Sequence, residues 1–461
     1  MMKIALITFG NEESYGLLFV GGELLRFKQK IRYFDAEMED IVAQVVLWQP
    51  DFIFFSPMTT FFSWSLRISK GIKKSIPKVV SVFGGHHATS CPDISKLDGV
   101  DIVVVGPVRG AIDKILKKEK GVIQTIPTTS ADLPMPARRE YYRDIPRMAK
   151  RYRKVMLSML GCPWNCSYCS SSSSHVRRIF GHESHKRYFL GRRPINAVIA
   201  EAKEIKKYNT SEIEWVDDDM FCRSDVETWM PEFVSIWEKE IGLPMYISTT
   251  SHSALKISDN VLAMLKKIVN CIGVGIQAIR PESLKLFNRT WDNESKMKAA
   301  YDRMKSFGYA INLQCIVGLP VGDPVEDALD TIKAMQRIGT GSICSCYPLM
   351  IYPCTAMEKY CREKGFKLND ACNGDTNSAI PNIAFSPRTT KRLRNICKLA
   401  TLFVKYNISE KWIRALIDID FDTETSRMLS MTRYFECVRD RLKEKGEKIF
   451  NEVIRDMNLR Y

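Results

Sequence analysis

Three cysteines, Cys162, Cys166 and Cys169, crowd into one short loop with the spacing CxxxCxxC. Gly161 precedes them, and the aromatic Tyr168 stands just before the last. Soft thiolates favour iron–sulfur clusters and zinc. A structural zinc takes four ligands in a closed site, whereas this loop offers three. The nearest histidine downstream, His175, lies six residues beyond Cys169 and suits zinc-finger spacings poorly. Three thiolates can instead hold three irons of a cubane cluster, leaving the fourth iron for a small molecule. The bland alternative is three unlinked thiols, but isolated cysteines rarely crowd in this way.

Other groups of chemical interest follow apolar runs. Trp215-Val-Asp-Asp-Asp-Met-Phe221 sets three carboxylates side by side, which is costly without a cation. Asp217 and Asp218 are the candidates to meet one; Asp219 and Ser224 fit a helix N-terminus. Thr249-Thr-Ser-His252 offers hydroxyls, Thr249 and Ser251 among them. Gly84-Gly-His-His-Ala-Thr89 pairs glycines, which let a backbone pass close to a large ligand, with His86, His87 and Thr89.

The elements that position these groups alternate strand and helix. In the first 140 residues short β-branched runs predict strands over Lys3–Phe9, Ile31–Asp35, Phe52–Ser56, Val79–Phe83 and Ile102–Val105. Helical segments such as Glu37–Trp48 and Phe61–Ser75 lie between them. That alternation predicts a doubly wound parallel α/β sheet, with ligands beyond the carboxyl ends of its strands. From 155 to 350 the pattern repeats, with strands over Val155–Leu160, Glu212–Val216, Met245–Thr249, Cys271–Gln277, Ile311–Val317 and Ile343–Pro348. Six βα units are too few for a full eight-unit barrel. Prolines 127, 134, 136 and 146 break up residues 125–154, and the basic run Arg138–Lys154 reads as a solvated connector. Thr389–Tyr406 and Glu436–Asn458 predict C-terminal helices.

The chain has 461 residues, 14 cysteines and a formal charge of +15. The start resembles no signal peptide, and no apolar run approaches the ~18 residues of a membrane span. A reducing cytoplasm is therefore expected. The basic balance would suit nucleic acid, a membrane surface or an acidic protein substrate, and would equally suit a merely soluble basic protein.

The cysteine loop resembles the cluster-binding signature of the radical S-adenosylmethionine superfamily. The resemblance implies a 4Fe-4S cluster on Cys162, Cys166 and Cys169, and six units of a partial (β/α)6 barrel over residues 155–350. It also implies S-adenosylmethionine contacts at Tyr168, Asp217, Asp218, Thr249, Ser251, Gly275, Gln277, Val317 and Leu319. Residues 1–140 are similar to the Rossmann-like cobalamin-binding domain that precedes many such enzymes. That similarity implies cobalamin contacts at Ser56, Met58, Thr59, Thr60, Gly84, Gly85, His86, His87, Thr89 and Gly106. Two departures stand out. No DxHxxG motif supplies a lower axial histidine, and Gly106-Pro-Val-Arg109 replaces the Gly-Glu-Gly-Glu of many relatives.

The expected division is therefore 1–140 for cobalamin, 141–154 as basic linker, 155–350 as barrel and 351–461 as a mainly helical cap. The function implied is cobalamin-dependent radical methyl transfer to an unactivated carbon, with a flavodoxin- or ferredoxin-type electron donor. A protein or peptide substrate is favoured, as for the family member that C-methylates a glutamine of methyl-coenzyme M reductase, though no motif singles that enzyme out. The alternatives are a cobalamin-linked cyclase or rearranging enzyme of the bacteriochlorophyll cyclase type, and a cobalamin- or S-adenosylmethionine-binding sensor without turnover. No stable nucleic-acid partner is expected. Cys344, Cys346, Cys354, Cys361 and Cys372 match no known cluster spacing and read as free thiols.

Overall fold

A computed structural model describes residues 1–10, 12–126, 129–186, 191–373 and 380–420. Two compact units emerge, one holding Met1–Asp218, Thr228–Met245 and Ile351–Ser378, the other Asp219–Glu227, Tyr246–Met350 and Ala379–Tyr461.

The first unit begins with six parallel strands: β1 (Lys3–Thr8), β2 (Lys30–Asp35), β3 (Phe52–Phe55), β4 (Val80–Phe83), β5 (Ile102–Val105) and β6 (Gly121–Gln124). Their order is β2-β1-β3-β4-β5-β6, so the sheet is doubly wound as expected. The central strands are buried on both faces, which is why they read as continuous apolar runs. The helix Phe62–Ser75 covers one face through Phe62, Ser65, Ile68, Ser69 and Ile72, at helical spacing. The expected strand at Val79 starts one residue later, and β6 is an addition.

The second sheet has six strands in chain order: β7 (Arg153–Met156), β8 (Glu212–Trp215), β9 (Met245–Thr250), β10 (Val269–Gln277), β11 (Ala310–Val317) and β12 (Ile343–Pro348). β7 pairs in parallel with β8, and β10, β11 and β12 pair in parallel. This is the curled six-stranded half-barrel that six βα units predict. In the second unit five helices are started by side-chain caps: Thr250, Ser258, Asn293, Asp323 and Ser386 each accept a first-turn N–H.

Two expectations are corrected. The segment Gly84–Thr89, which the glycines and its place after a strand predict as a loop, instead carries a short helix, Gly85–Ser90, directly after β4. Arg138–Lys154 is not a solvated connector. It folds into the helices Arg138–Asp144 and Pro146–Lys150 and the start of β7, and it buries Arg138 (1% exposed) and Lys154 (0%). Of the C-terminal helices, Thr389–Tyr406 is found as Pro387–Lys405, with Ala356–Glu363 and Glu410–Ile417 in addition. Glu436–Asn458 lies outside the described residues.

Candidate functional site

The cysteine loop follows β7 and is held by its own backbone. Cys169 N–H donates to Cys166 O (3.2 Å), Ser172 N–H to Cys169 O (3.3 Å) and Ser173 N–H to Trp164 O (3.0 Å). From the segment after β12, Met357 N–H donates to Ser167 O at 2.9 Å. Cys166 is buried, and Cys162, Tyr168 and Cys169 are half-buried. Burial first, and the Asp218 carboxylate second, push the Cys169 thiol up to about 12. Such a thiol ionises only when a bound cation compensates. Among the described residues no three His, Cys, Asp or Glu side chains converge on a point for one metal ion. Thiolates that bind three different irons need not converge so.

The loop runs into the helix Ser173–Phe180, which Ser172 caps. Val176 and Phe180 of this helix enter the apolar core of the first sheet, beside Phe83, Ala88 and Val105. Polar contacts reinforce the join. Arg178 donates to His175 Nδ1 at 3.2 Å, so His175 Nε2 carries the proton and donates to Ser90 Oγ at 2.9 Å. Burial and the Arg178 charge hold His175 down to about 4, leaving it neutral. With both nitrogens engaged it is a strut between the two elements.

At the carboxyl ends of β3 and β4 the two candidate cobalamin segments meet. Gly85 has φ +80°, and a Cβ there would come within 2.4 Å of Ser56 Oγ, so only glycine lets these segments touch. His87 Nδ1 and Thr59 Oγ1 share a hydrogen bond of 3.2 Å, and the His87 ring lies 4.2 Å from that of Phe62. Burial draws His87 down to about 4. Thr60 Oγ1 is buried without a partner, and Met58 is exposed. Gly106 N–H donates to Thr89 Oγ1 at 3.1 Å. His86 reaches solvent, yet the surrounding protein lowers its imidazole below the usual value, as at a concave surface.

The acids after β8 separate by role. Asp217 is buried and accepts from Ser158 N–H (2.7 Å), Met159 N–H (3.1 Å), the Ser158 hydroxyl and Arg192 (3.4 Å). It fastens the segment that leads into the cysteine loop. Asp218 is exposed and bears electrostatically on Cys169. In the second unit Asp219 is a buried hub rather than a helix N-cap, because the helix starts only at Val226. It accepts from Thr249 Oγ1 (2.7 Å), Thr250 Oγ1 (3.0 Å) and Ser253 Oγ (2.7 Å). Ser251 donates to Asp292 at 2.5 Å. At a bulge in β10, Gln277 takes φ +66°, and Gly275 O accepts from Arg289 at 2.7 Å. Val317 and Leu319 are buried, and Val317 O accepts from Leu349 N–H.

Some residues matter here without any local signal. Glu201 is fully buried and accepts from Tyr15 Oη (2.9 Å), Arg138 Nε (2.9 Å) and Arg193 (2.6 Å). Arg138 also pairs with Glu13 at 3.0 Å, and Glu13 accepts from Val155 N–H in β7. This network ties the first sheet to the strand that leads into the cysteines. Of the cations that follow the cysteine loop in sequence, Arg192 and Arg193 are therefore internal, and Lys186 pairs with Glu183 at the surface. Arg187 lies outside the described residues. Of the later cysteines, Cys344 and Cys346 pack with Cys315 and Cys397, and Cys354 lies 3.8 Å from Cys91.

A B12 binding domain model matches residues 12–116, and a radical SAM superfamily model matches residues 156–351. The chain belongs to the cobalamin-dependent radical S-adenosylmethionine enzymes. It is 23% identical to an uncharacterized methyltransferase of Pyrococcus horikoshii over 70% of this chain and 73% of that protein. It is 24% identical to the hopanoid C-3 methylase of Methylococcus capsulatus over 66% of this chain, spanning 61% of that enzyme. In fold it is similar to the radical S-adenosylmethionine methyltransferase TsrM of Kitasatospora setae (TM-score 0.61, 14% identity, 79% of this chain and 76% of that). It is also similar to the cobalamin-dependent radical enzyme OxsB (TM-score 0.66, 12% identity, 94% and 72%).

The cofactors of this enzyme are a 4Fe-4S cluster, S-adenosylmethionine and cobalamin. The residues present fit them. Three closely spaced thiols lie in one braced loop, one of them raised by burial. At the strand-end cradle Gly85 closes on Ser56, and Thr60 of the same segment as Ser56 has a buried hydroxyl with no hydrogen-bond partner among the described residues. Among the described residues no helix is long and apolar enough to cross a membrane.

Proposed function

We propose that this enzyme is a methyltransferase that places a methyl group on an unactivated carbon, favouring a protein or peptide substrate. The observation that carries the reading is the join between the two cofactor elements. The helix that leaves the cysteine loop is packed into, and hydrogen-bonded to, the element that carries the cobalamin candidates. When bound, the cluster with S-adenosylmethionine supplies a hydrogen-abstracting radical, and cobalamin supplies the methyl group.

In this reading Cys162, Cys166 and Cys169 hold the cluster. Asp218, exposed and close in charge to Cys169, attracts the amino group of S-adenosylmethionine, while Asp217 fixes the approach of the loop. Tyr168, Gly275, Gln277, Val317 and Leu319 border that cosubstrate, and Thr249 and Ser251 act through the Asp219 and Asp292 carboxylates they bind. Ser56–Thr60, Gly84–Thr89 and Gly106 line the cobalamin. These residues supply position and exclusion of water rather than proton transfer, so no general base is assigned. The domains divide at about residues 140 and 350, a low-potential flavodoxin or ferredoxin donates the electron, and the protein works in the cytoplasm.

The test is anaerobic reconstitution with cobalamin and methyl-labelled S-adenosylmethionine. Label should appear in methylcobalamin, and its absence would overturn the methyltransferase reading. Cys166→Ala should abolish 5′-deoxyadenosine formation. A variant that still forms it removes Cys166 from the ligand set.

A further inference from the structure

The inner face of β9–β12 carries a group of polar side chains that no role above uses. Register and alternation decide the face. Cys346 points to the helix Pro387–Lys405, where its sulfur lies 3.8 Å from that of Cys397. Its strand neighbours Ser345 and Tyr347 therefore point the opposite way. Gln314 is in register with Ser345, and Asn312 precedes Gln314 by two, so both share that face. On it Tyr246 Oη accepts from Asn312 Nδ2 at 3.1 Å and from Gln314 Nε2 at 2.8 Å. Asn312 Nδ2 also donates to Ser345 Oγ at 3.1 Å. The room for this group comes from Gly273, opposite Asn312 in register. A Cβ there would lie 2.3 Å from Tyr246 Oη and 2.7 Å from Gln314 Nε2.

One atom is left over. Asn312 is only 4% exposed, yet its Oδ1 has no partner among the described residues. Turning the amide over does not remove the deficit. Oδ1 would then accept from the Tyr246 and Ser345 hydroxyls, and Nδ2 would be orphaned. A buried amide missing one partner is costly unless a ligand completes it. Tyr347, at 44% exposure on the same face, marks where that face opens. Tyr246, Asn312, Gln314, Ser345, Tyr347 and Ser248, whose Oγ would lie 3.0 Å from a Cβ at Gly273, include no carboxylate, ammonium, guanidinium or imidazole, so a charged partner would gain nothing to offset its desolvation.

We propose that this face binds the substrate through an uncharged amide, either a carboxamide or a peptide bond. An amide offers both a donor and an acceptor, so it satisfies Asn312 in either orientation and leaves its second group for Gln314 or Ser345. The adenine of S-adenosylmethionine has similar groups, and Gly275, one of its expected neighbours, is in register with Gln314, so the test below includes an outcome that assigns the face to that cosubstrate. This deepens the methyltransferase reading and rests on it for the word substrate.

The probes are N-acetyl-L-glutaminamide and its charged counterpart N-acetyl-L-glutamate, offered to the cluster-reconstituted full chain and followed by saturation-transfer NMR. The amide should show transfer and the carboxylate none. Asn312→Leu should weaken amide binding about tenfold, and Gln314→Leu should weaken it too, with near-UV circular dichroism verifying that both variants fold. Equal binding of the two probes, or undiminished amide binding by folded Asn312→Leu, would show that the group holds only itself or water. A parallel loss of S-adenosylmethionine affinity in Asn312→Leu would hand the face to that cosubstrate. Methylcobalamin formation by the wild-type enzyme is read separately. An enzyme that forms it yet does not distinguish the probes refutes this inference alone.

Discussion

Replacing Glu201 by leucine should unfold the enzyme far more readily than any surface change. Glu201 is fully buried and faces two guanidinium groups. Arg138 would keep Glu13 at 3.0 Å. Among the described residues Arg193 would keep only neutral oxygens, Leu157 O at 3.0 Å and Tyr15 Oη at 3.2 Å, and its Nε already lacks a partner there. Breaking a buried pair on one side costs about 3–5 kcal/mol, and the stranded Arg193 puts Glu201→Leu toward the upper part of that range. Urea unfolding followed by circular dichroism measures it. The double variant Glu201→Leu/Arg193→Leu, which removes the stranded charge, should recover about half of the loss. The acid limb gives a second reading. The two guanidinium groups hold the Glu201 carboxyl below its usual value despite burial. Its contribution is thus complete above the unfolded value of 4.5 and lost as pH falls through the lower folded value, so Glu201→Leu should flatten that limb. A single-variant loss below about 1 kcal/mol would mean the pair behaves as a hydrated surface bridge, and the clamp argument would fail.

Three further outcomes are expected. His87, held at about 4 against 6.5 when unfolded, makes the folded state lose stability as pH falls from 6.5 to 4; His87→Gln should lessen that loss in pH-dependent melting. Burial lowers Lys154 to about 8 from 10.5, so the folded protein bears an unfavourable charge at neutral pH. Lys154→Met should raise the melting temperature at pH 7, with an advantage that shrinks as pH rises from 8 to 10.5; a constant difference would show that Lys154 does not titrate there. Gly85→Ala, with φ +80° and Ser56 Oγ 2.4 Å from the new methyl, should cut cobalamin loading measured by absorbance. Adding Ser56→Gly should restore only part of it, because the backbone strain of about 1–2 kcal/mol remains.

Strands β1 to β5 were legible because burial on both faces demands unbroken apolar runs. β6 was not: at the sheet edge only Ile123 of its four residues is buried, so Gly121–Gln124 carries no such run. The cysteine loop was legible from spacing alone, since its chemistry is local. Asp219 looked like a helix start because a carboxylate before a helix usually is one, while its partners Thr249, Thr250 and Ser253 lie 30 or more residues away. The basic stretch Arg138–Lys154 misled for the same reason. Arg138 meets Glu13 and Glu201 across 125 and 63 residues, and no window of sequence shows that a cation has been taken out of water. The inner-face amides were hidden by register, which only the pairing of β10, β11 and β12 reveals.

The clamp of Glu13, Tyr15, Arg138, Arg193 and Glu201 bears on how such enzymes can be recombined. A graft that exchanges the cobalamin domain at residue 140 would replace Glu13, Tyr15 and Arg138 together, leaving the native Glu201 and Arg193 to face foreign side chains. The two halves are thus one inheritance: a donor domain can be accepted only if it arrives with its own helix Arg138–Asp144 and a matching carboxylate after β1.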